Sequence, residues 1–122
     1  MEQVDRENMA GLRRSLKRLG MVIAEVDHEL RYVWIENPHP DFDASAVVGK
    51  RDDQLISRAE AKEIMSFKRK VLASGRPAHE TLAFNRSDGL RSYTIFAYPI
   101  RNERGAVDGI ITVGFDVPSP RA

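Results

Sequence analysis

The chain has 122 residues, 42% of them hydrophobic and 30% charged, the size and balance of one soluble globular domain. Lys and Arg total 19 against 18 for Asp and Glu, so a net charge of +1 offers no field to gather nucleic acid or anionic lipid, and neither is expected as a partner. The absence of cysteine excludes disulfides, thiolate metal sites, cysteine nucleophiles and cysteinyl-flavin adducts, and with no signal-peptide start and no apolar run near the ~20 residues of a membrane span, a cytoplasmic protein is expected.

A first helix is predicted from about Val4 to Leu19. Met9, Leu12, Leu16 and Leu19 recur at alternating spacings of three and four along one narrow seam, and Gly20 stands where a helix needs a C′ residue. Arg13, Arg14, Lys17 and Arg18 form the wet face. So short a seam does not sustain an independent coiled coil, and must lie on its own domain, on a second copy, or on both. From Met21 the period becomes two. Val22, Ala24 and Val26 alternate with Ile23 and Glu25, Asp27-His-Glu29 turns, and Tyr32 to Glu36 make a second strand that Asn37-Pro-His-Pro40 ends.

The chain then leaves the sheet. Asp43 caps one or two helical turns that stop at Gly49, and Asp52 or Asp53 can cap another turn through Leu55. Ser57 and Glu60 have capping-box spacing and open the longest helix, whose Ala61, Ile64, Met65, Lys68, Val71 and Leu72 track one face until Gly75 and Pro77 end it. Three strands follow, about Ala78 to Asn85, Leu90 to Ile100 and Val107 to Val117, joined by hairpin signals at Ser87-Asp-Gly89 and Asn102-Glu-Arg-Gly105. The expected organisation is a flanking helix over 1–20, a domain over 21–117 and a tail or linker over 118–122.

Two strands, a helical excursion and a three-stranded meander make an α+β fold with a five-stranded antiparallel sheet covered on one face. This resembles a PAS domain over nearly the whole chain. Val48-Gly-Lys-Arg-Asp-Asp-Gln-Leu55 is similar to the family's glycine, basic residue, acidic cap and leucine. Pro99-Ile-Arg101, Gly105 and Val107-Asp-Gly-Ile110 are similar to its last hairpin, and Asp116 matches the aspartate of its closing Asp-Ile-Thr signature. Tyr32, Trp34 and Ile35 running into Asn37-Pro-His-Pro40 most resemble sensors upstream of bacterial histidine kinases of the histidine-tryptophan-glutamate class. Here the closing triplet is Asp116-Val-Pro118, without the threonine, and no kinase core follows within the chain.

The resemblance implies a small cavity between the concave sheet face and the excursion. Tyr93, Ile95 and Ala97 share one face of their strand, and Thr94, Phe96 and Tyr98 the other. If the first set lines the cavity, Phe96 and Tyr98 face outward, and the stripe Met9, Leu12, Leu16, Leu19 is the cover at hand, on the same domain or in a homodimer. Ligand candidates are Tyr32 and Trp34 as stacking aromatics on one strand face, Asn37 and His39 at the mouth, Met65 and Arg69 on the long helix, and Tyr93 and Ile95 on the sheet. Each also has a plainer reading: aromatics as core, His39 as a lock on its loop, Lys68 and Arg69 as solvated or snorkelling cations. His28 and His79 are read as solvated. No histidine pair has metal-ligand spacing, so no metal and no catalytic residue is assigned. Haem-binding members of the family use a histidine on the long helix, and residues 58–74 contain none, which speaks against haem; the cofactor is otherwise open.

The function implied is a sensory module, not itself an enzyme, that binds a small ligand or partner and passes a packing change, by way of Asp116, to an output such as a histidine kinase. Two alternatives remain: a cone-shaped α+β enzyme of the ketosteroid-isomerase type, with a buried carboxylate as base, and a dimerisation module with a filled core.

Overall fold

The computed structural model describes residues 2–117; the expected tail at 118–122 lies outside the described residues. Helix α1 (Glu2–Leu19) leads into β1 (Met21–Asp27) and β2 (Tyr32–Glu36). The excursion holds α2 (Ala44–Val47), a 3-10 turn (Asp52–Gln54) and α3 (Arg58–Ser74), and β3 (Ala78–Arg86), β4 (Gly89–Arg101) and β5 (Val107–Val117) complete the chain. All pairings are antiparallel in one five-stranded sheet of order β2-β1-β5-β4-β3. The fold class expected from the sequence is the one that forms. With two strands ahead of the main helices and the last strand in the centre, it is not the cone of the alternative enzyme fold.

Two of the expected caps are reassigned. Ser57 accepts a hydrogen bond from the Glu60 amide, and Gly75, at φ 65°, closes α3 with its N–H on the Val71 carbonyl. The Glu60 carboxylate does not reach back to complete a capping box; it accepts from the Asn85 amide at 2.6 Å, tying α3 to β3. At the 3-10 turn neither Asp52 nor Asp53 is the cap. Arg51 holds that position and its amide donates to the Gln54 side chain, which frees Asp52 for another use.

The core lies between α3 and the concave sheet face. Ala61, Ile64, Met65, Phe67 and Val71 from α3 meet Val26, Phe84, Tyr93, Ile95, Ala97 and Ile110 from the sheet. Tyr93, Ile95 and Ala97 are buried and Tyr98 is exposed, so β4 presents the two faces expected of it. Close packing of β1 on β5 needs Gly109, where a Cβ would lie 2.7 Å from the Val26 carbonyl oxygen.

Helix α1 is pinned at one end of β1. Leu16 is buried, Arg13 grips the Glu36 carboxylate through three contacts of 3.1–3.3 Å, and Asn37 Nδ2 donates to the Leu16 and Met21 carbonyls at 3.1 and 2.7 Å. Leu12 and Leu19, of the same stripe, remain exposed, and the Met9 side chain lies outside the described residues. Phe96, on the outer sheet face, is covered instead by neighbours on the sheet: His79 stacks on it at 5.1 Å and Phe115 meets it edge-on at 6.1 Å. His79 is thus a packing residue and not merely a solvated one.

Candidate functional site

Tyr32, the first residue of β2, exchanges backbone hydrogen bonds with the chain after α2: its N–H donates to the Lys50 carbonyl and its carbonyl accepts from the Gly49 amide, at 3.0 and 2.8 Å. This draws the following 3-10 turn over the end of β2 and sets Asp52 beside the Tyr32 ring. Lys68, at the middle of α3 and on its apolar face, points to the same place. Tyr32 Oη donates to Asp52 Oδ1 at 2.7 Å, and Lys68 Nζ donates to Asp52 Oδ2 at 2.7 Å and to Tyr32 Oη at 3.0 Å. Lys68 Nζ also stands 4.5 Å from the Tyr32 ring centroid.

Lys68 is 1% exposed and Asp52 4%, so this is a buried ion pair closed by a phenol. Burial pushes the Tyr32 phenol up to about 12; Lys68 pulls it down, and the Asp52 carboxylate adds to the rise. For Lys68, burial favours the neutral amine, but Tyr32 and Asp52 together outweigh it and raise the pKa above that of an ordinary lysine. At neutral pH the lysine is charged and the phenol protonated.

Above the cluster lies a cavity of about 110 Å³. Tyr32, Asp52 and Lys68 form its floor, Ile95, Tyr93 and Thr112 part of its sheet wall, and Pro38, His39, Phe42 and Arg86 surround its mouth. It is smaller than the ~300 Å³ at which drug-sized sites begin, and close to the ~150 Å³ of an engineered cavity that takes benzene.

The mouth is a latch between the loop after β2 and the β3–β4 hairpin. Ser87 donates to both oxygens of Asp41, through its amide at 2.8 Å and through its hydroxyl. His39 Nδ1 accepts from the Asp41 amide at 3.0 Å, which leaves Nε2, 3.0 Å from Asp88 Oδ1, to carry the ring proton. Arg91 binds Asp88 at 2.6 Å and Asp116 at 3.1 Å. Hydrogen bonds from Arg91 and His39 hold the Asp88 carboxyl down to about 2. The Arg86 guanidinium carbon sits 4.8 Å from the Phe42 ring centroid and 5.0 Å from that of Phe84.

Of the ligand candidates read from the sequence, Tyr32, His39, Tyr93 and Ile95 meet at this cavity. Trp34 does not. Strand pairing steps from Glu25 opposite Trp34 to Val26 opposite Tyr32, leaving Val33 as an extra residue, and this bulge reverses the side-chain phase. Tyr32 and Ile35 therefore face the cavity, while Trp34 is 36% exposed and donates its indole N–H to Glu25 at 2.9 Å. Asn37 spends its amide on the pin to α1, at a φ of 58°. Met65 is core, and with Arg69 it borders a separate open groove between α3 and Asp53 of the 3-10 turn. Asp116 lies at the end of β5, its amide on the Gly20 carbonyl at 3.3 Å.

The sequence does not single out Asp52 or Arg86 as ligand groups, and it offers Lys68, like Arg69, either as a solvated or snorkelling cation or as a partner for a ligand carboxylate. Lys68 carried a usable signal, a lysine among five apolar residues on one helix face, which calls for a buried anion.

The family model described as PAS fold matches residues 16–122. The chain is 29% identical over 103 residues to Histidine kinase 5 of Arabidopsis thaliana; that match takes in 84% of this chain but 11% of the relative, so the chain spans about a ninth of it. Its fold is similar to a sensory box sensor histidine kinase from Vibrio cholerae, with a TM-score of 0.68 at 15% identity over 97% of this chain and 98% of that one. It is also similar to VqmA of Vibrio cholera, solved as a ligand and DNA complex, with a TM-score of 0.71 at 21% identity over 85% of this chain and 50% of that one. The expectation that nucleic acid is not a partner therefore finds no support among these relatives. With a matching family model over all but the first residues, and with the five-stranded sheet and helical excursion in place, the chain belongs to the PAS-fold family.

Proposed function

We propose that this chain is a sensory module whose cavity takes a small ligand and whose state is passed to an output such as a histidine kinase. The observation that carries this reading is an open-mouthed cavity built on a buried Asp52 and Lys68 pair with Tyr32, bordered at His39 by a hydrogen-bonded loop and hairpin. A core that served packing alone would be filled with apolar groups, because replacing a buried ion pair by well-packed apolar residues is neutral or stabilising.

The proposed output runs through Asp116, which Arg91 and Asp88 connect to His39 at the mouth. A ligand that moves the loop after β2 changes the partners available at the end of β5. It acts as a signal only if it binds the two states unequally. A homodimer is proposed as the unit that transmits the change, with Leu12 and Leu19 of α1 and Tyr98 of the outer sheet face, all exposed, as its apolar contacts, continued by Phe96 and Met9, while the buried Leu16 holds the helix on its own domain. Catalysis is not required of the chain itself.

Native mass spectrometry of the purified protein, read under gentle and then denaturing conditions, tests both parts. A dimer carrying a small non-covalent mass is expected. A bare dimer that takes up no small molecule would turn the reading towards a dimerisation module, and a bare monomer would remove helix-mediated dimerisation.

A further inference from the structure

We infer that the cavity selects a small monoanion, a carboxylate or equivalent acid on a compact apolar body, whose acidic group lies against Arg86. The inference rests on the sensory reading above and adds to it the chemical class of the ligand.

The charges on the cavity wall do not cancel. At the floor Lys68 and Asp52 neutralise each other at 2.7 Å, with Tyr32 closing the cluster. His39 is matched by acids of its own, with Asp88 Oδ1 3.0 Å from Nε2 and the Asp41 amide on Nδ1. That leaves Arg86, which is always charged. Asp41 lies near enough for Arg86 to help hold its carboxyl down, but its oxygens accept hydrogen bonds from Ser87 and not from the guanidinium, and Asp88 accepts from His39 and Arg91.

Arg86 also has an unfilled donor. Its Nη1 reaches the Asn85 carbonyl at 3.3 Å, and its guanidinium lies near the faces of Phe42 and Phe84, but Nε is buried and has no hydrogen-bond partner. Buried donors without an acceptor are rare in native proteins, and each calls for a missing partner. A water would fill the donor and leave the charge; a carboxylate fills both. Ile95, Phe42 and Val22 on the surrounding wall require the rest of the ligand to be apolar, and about 110 Å³, less than the ~150 Å³ that takes benzene, limits that apolar body to about six non-hydrogen atoms.

The test is calorimetric titration of the full 122-residue chain with two matched pairs, isobutyrate with isobutyramide and benzoate with benzamide, repeated on Arg86→Gln and Gly114→Ala. Gly114 lines the cavity, and a Cβ there would make ordinary contacts of 3.8 Å to Ile95 and 3.9 Å to the Val22 carbonyl oxygen, so Gly114→Ala narrows the space without altering a polar side chain. In the unaltered protein at least one acid should bind about tenfold or more tighter than its amide. Arg86→Gln should bring that pair to equal affinity, and Gly114→Ala should weaken both members alike. Amides that bind as well as acids would overturn the anion inference and leave the sensory reading standing. No heat from any of the four would overturn both. Should Arg86→Gln fail to fold, the acid-to-amide ratio in the unaltered protein decides.

Discussion

At the floor of the cavity, Tyr32, Asp52 and Lys68 share three buried or part-buried hydrogen bonds; at its mouth, Asp41, Ser87, His39, Asp88 and Arg91 make a larger set of exposed ones. Similar chemistry has different consequences in the two places. A buried charge that loses its partner has nothing to replace it, so the floor is stiff and its parts are interdependent. An exposed pair exchanges protein for water at little net cost, so the latch can open without unfolding the domain. A sensor needs both: a floor that defines the ligand site and a mouth that responds to it.

The largest expected effect comes from breaking the floor. Lys68→Ala strands Asp52 and should lower unfolding free energy by about 3–5 kcal/mol in denaturant titrations, a large part of the ~5–15 kcal/mol of a typical domain. Replacing both charges, Asp52→Leu with Lys68→Met, should restore most of that loss; a double variant as unstable as the single one would show that the cluster does more than neutralise itself. Tyr32→Phe keeps the ring and removes one donor and one acceptor, and should cost about 1–3 kcal/mol by the same measurement.

Stability against pH should separate the two regions. The Tyr32 phenol titrates near 12 when folded and near 10 when unfolded, so its contribution is full below pH 10 and is lost as pH rises towards 12. Lys68, also raised on folding, loses its contribution in the same direction at still higher pH. Asp88 is held down to about 2, so its contribution is full above the ordinary carboxylate range and is lost as pH falls from about 4 towards 2. Urea midpoints across pH should lose the alkaline limb in Tyr32→Phe and part of the acid limb in Asp88→Asn. If Asp88→Asn removed the alkaline limb instead, the two regions would not be independent.

Opening the latch should barely move stability. Ser87→Ala is expected to shift it by less than about 1 kcal/mol while speeding amide hydrogen exchange in residues 38–47. The smallest effect belongs to Trp34, on the solvent side of the bulge: Trp34→Phe should change stability by about 0.5 kcal/mol or less and leave ligand affinity unaltered. A Trp34-dependent affinity would place the indole in the cavity and contradict the register of β2.

Local chemistry made most of the architecture legible. Gly20, Gly75 and the proline-flanked loop at 37–40 punctuate the chain because few other residues serve those backbone conformations, and the shift from helical to strand period at Met21 identifies the sheet. The site was only half legible. Tyr93 and Ile95 follow from strict alternation along β4, but the same rule misplaced Trp34, because Val33 makes a bulge with no glycine or proline to announce it.

The sequence by itself determined the order of elements, their caps and which side of β4 is apolar, since these depend on neighbours within a few residues. Tertiary structure alone decided that Lys68 meets Asp52 from 16 residues away, that Glu60 serves Asn85 and not its own helix end, and that Arg86 keeps a buried donor free beside the cavity. The reason is physical: periodicity reports which face a residue occupies, whereas a polar side chain's partner depends on what the opposing element brings within about 3 Å of it.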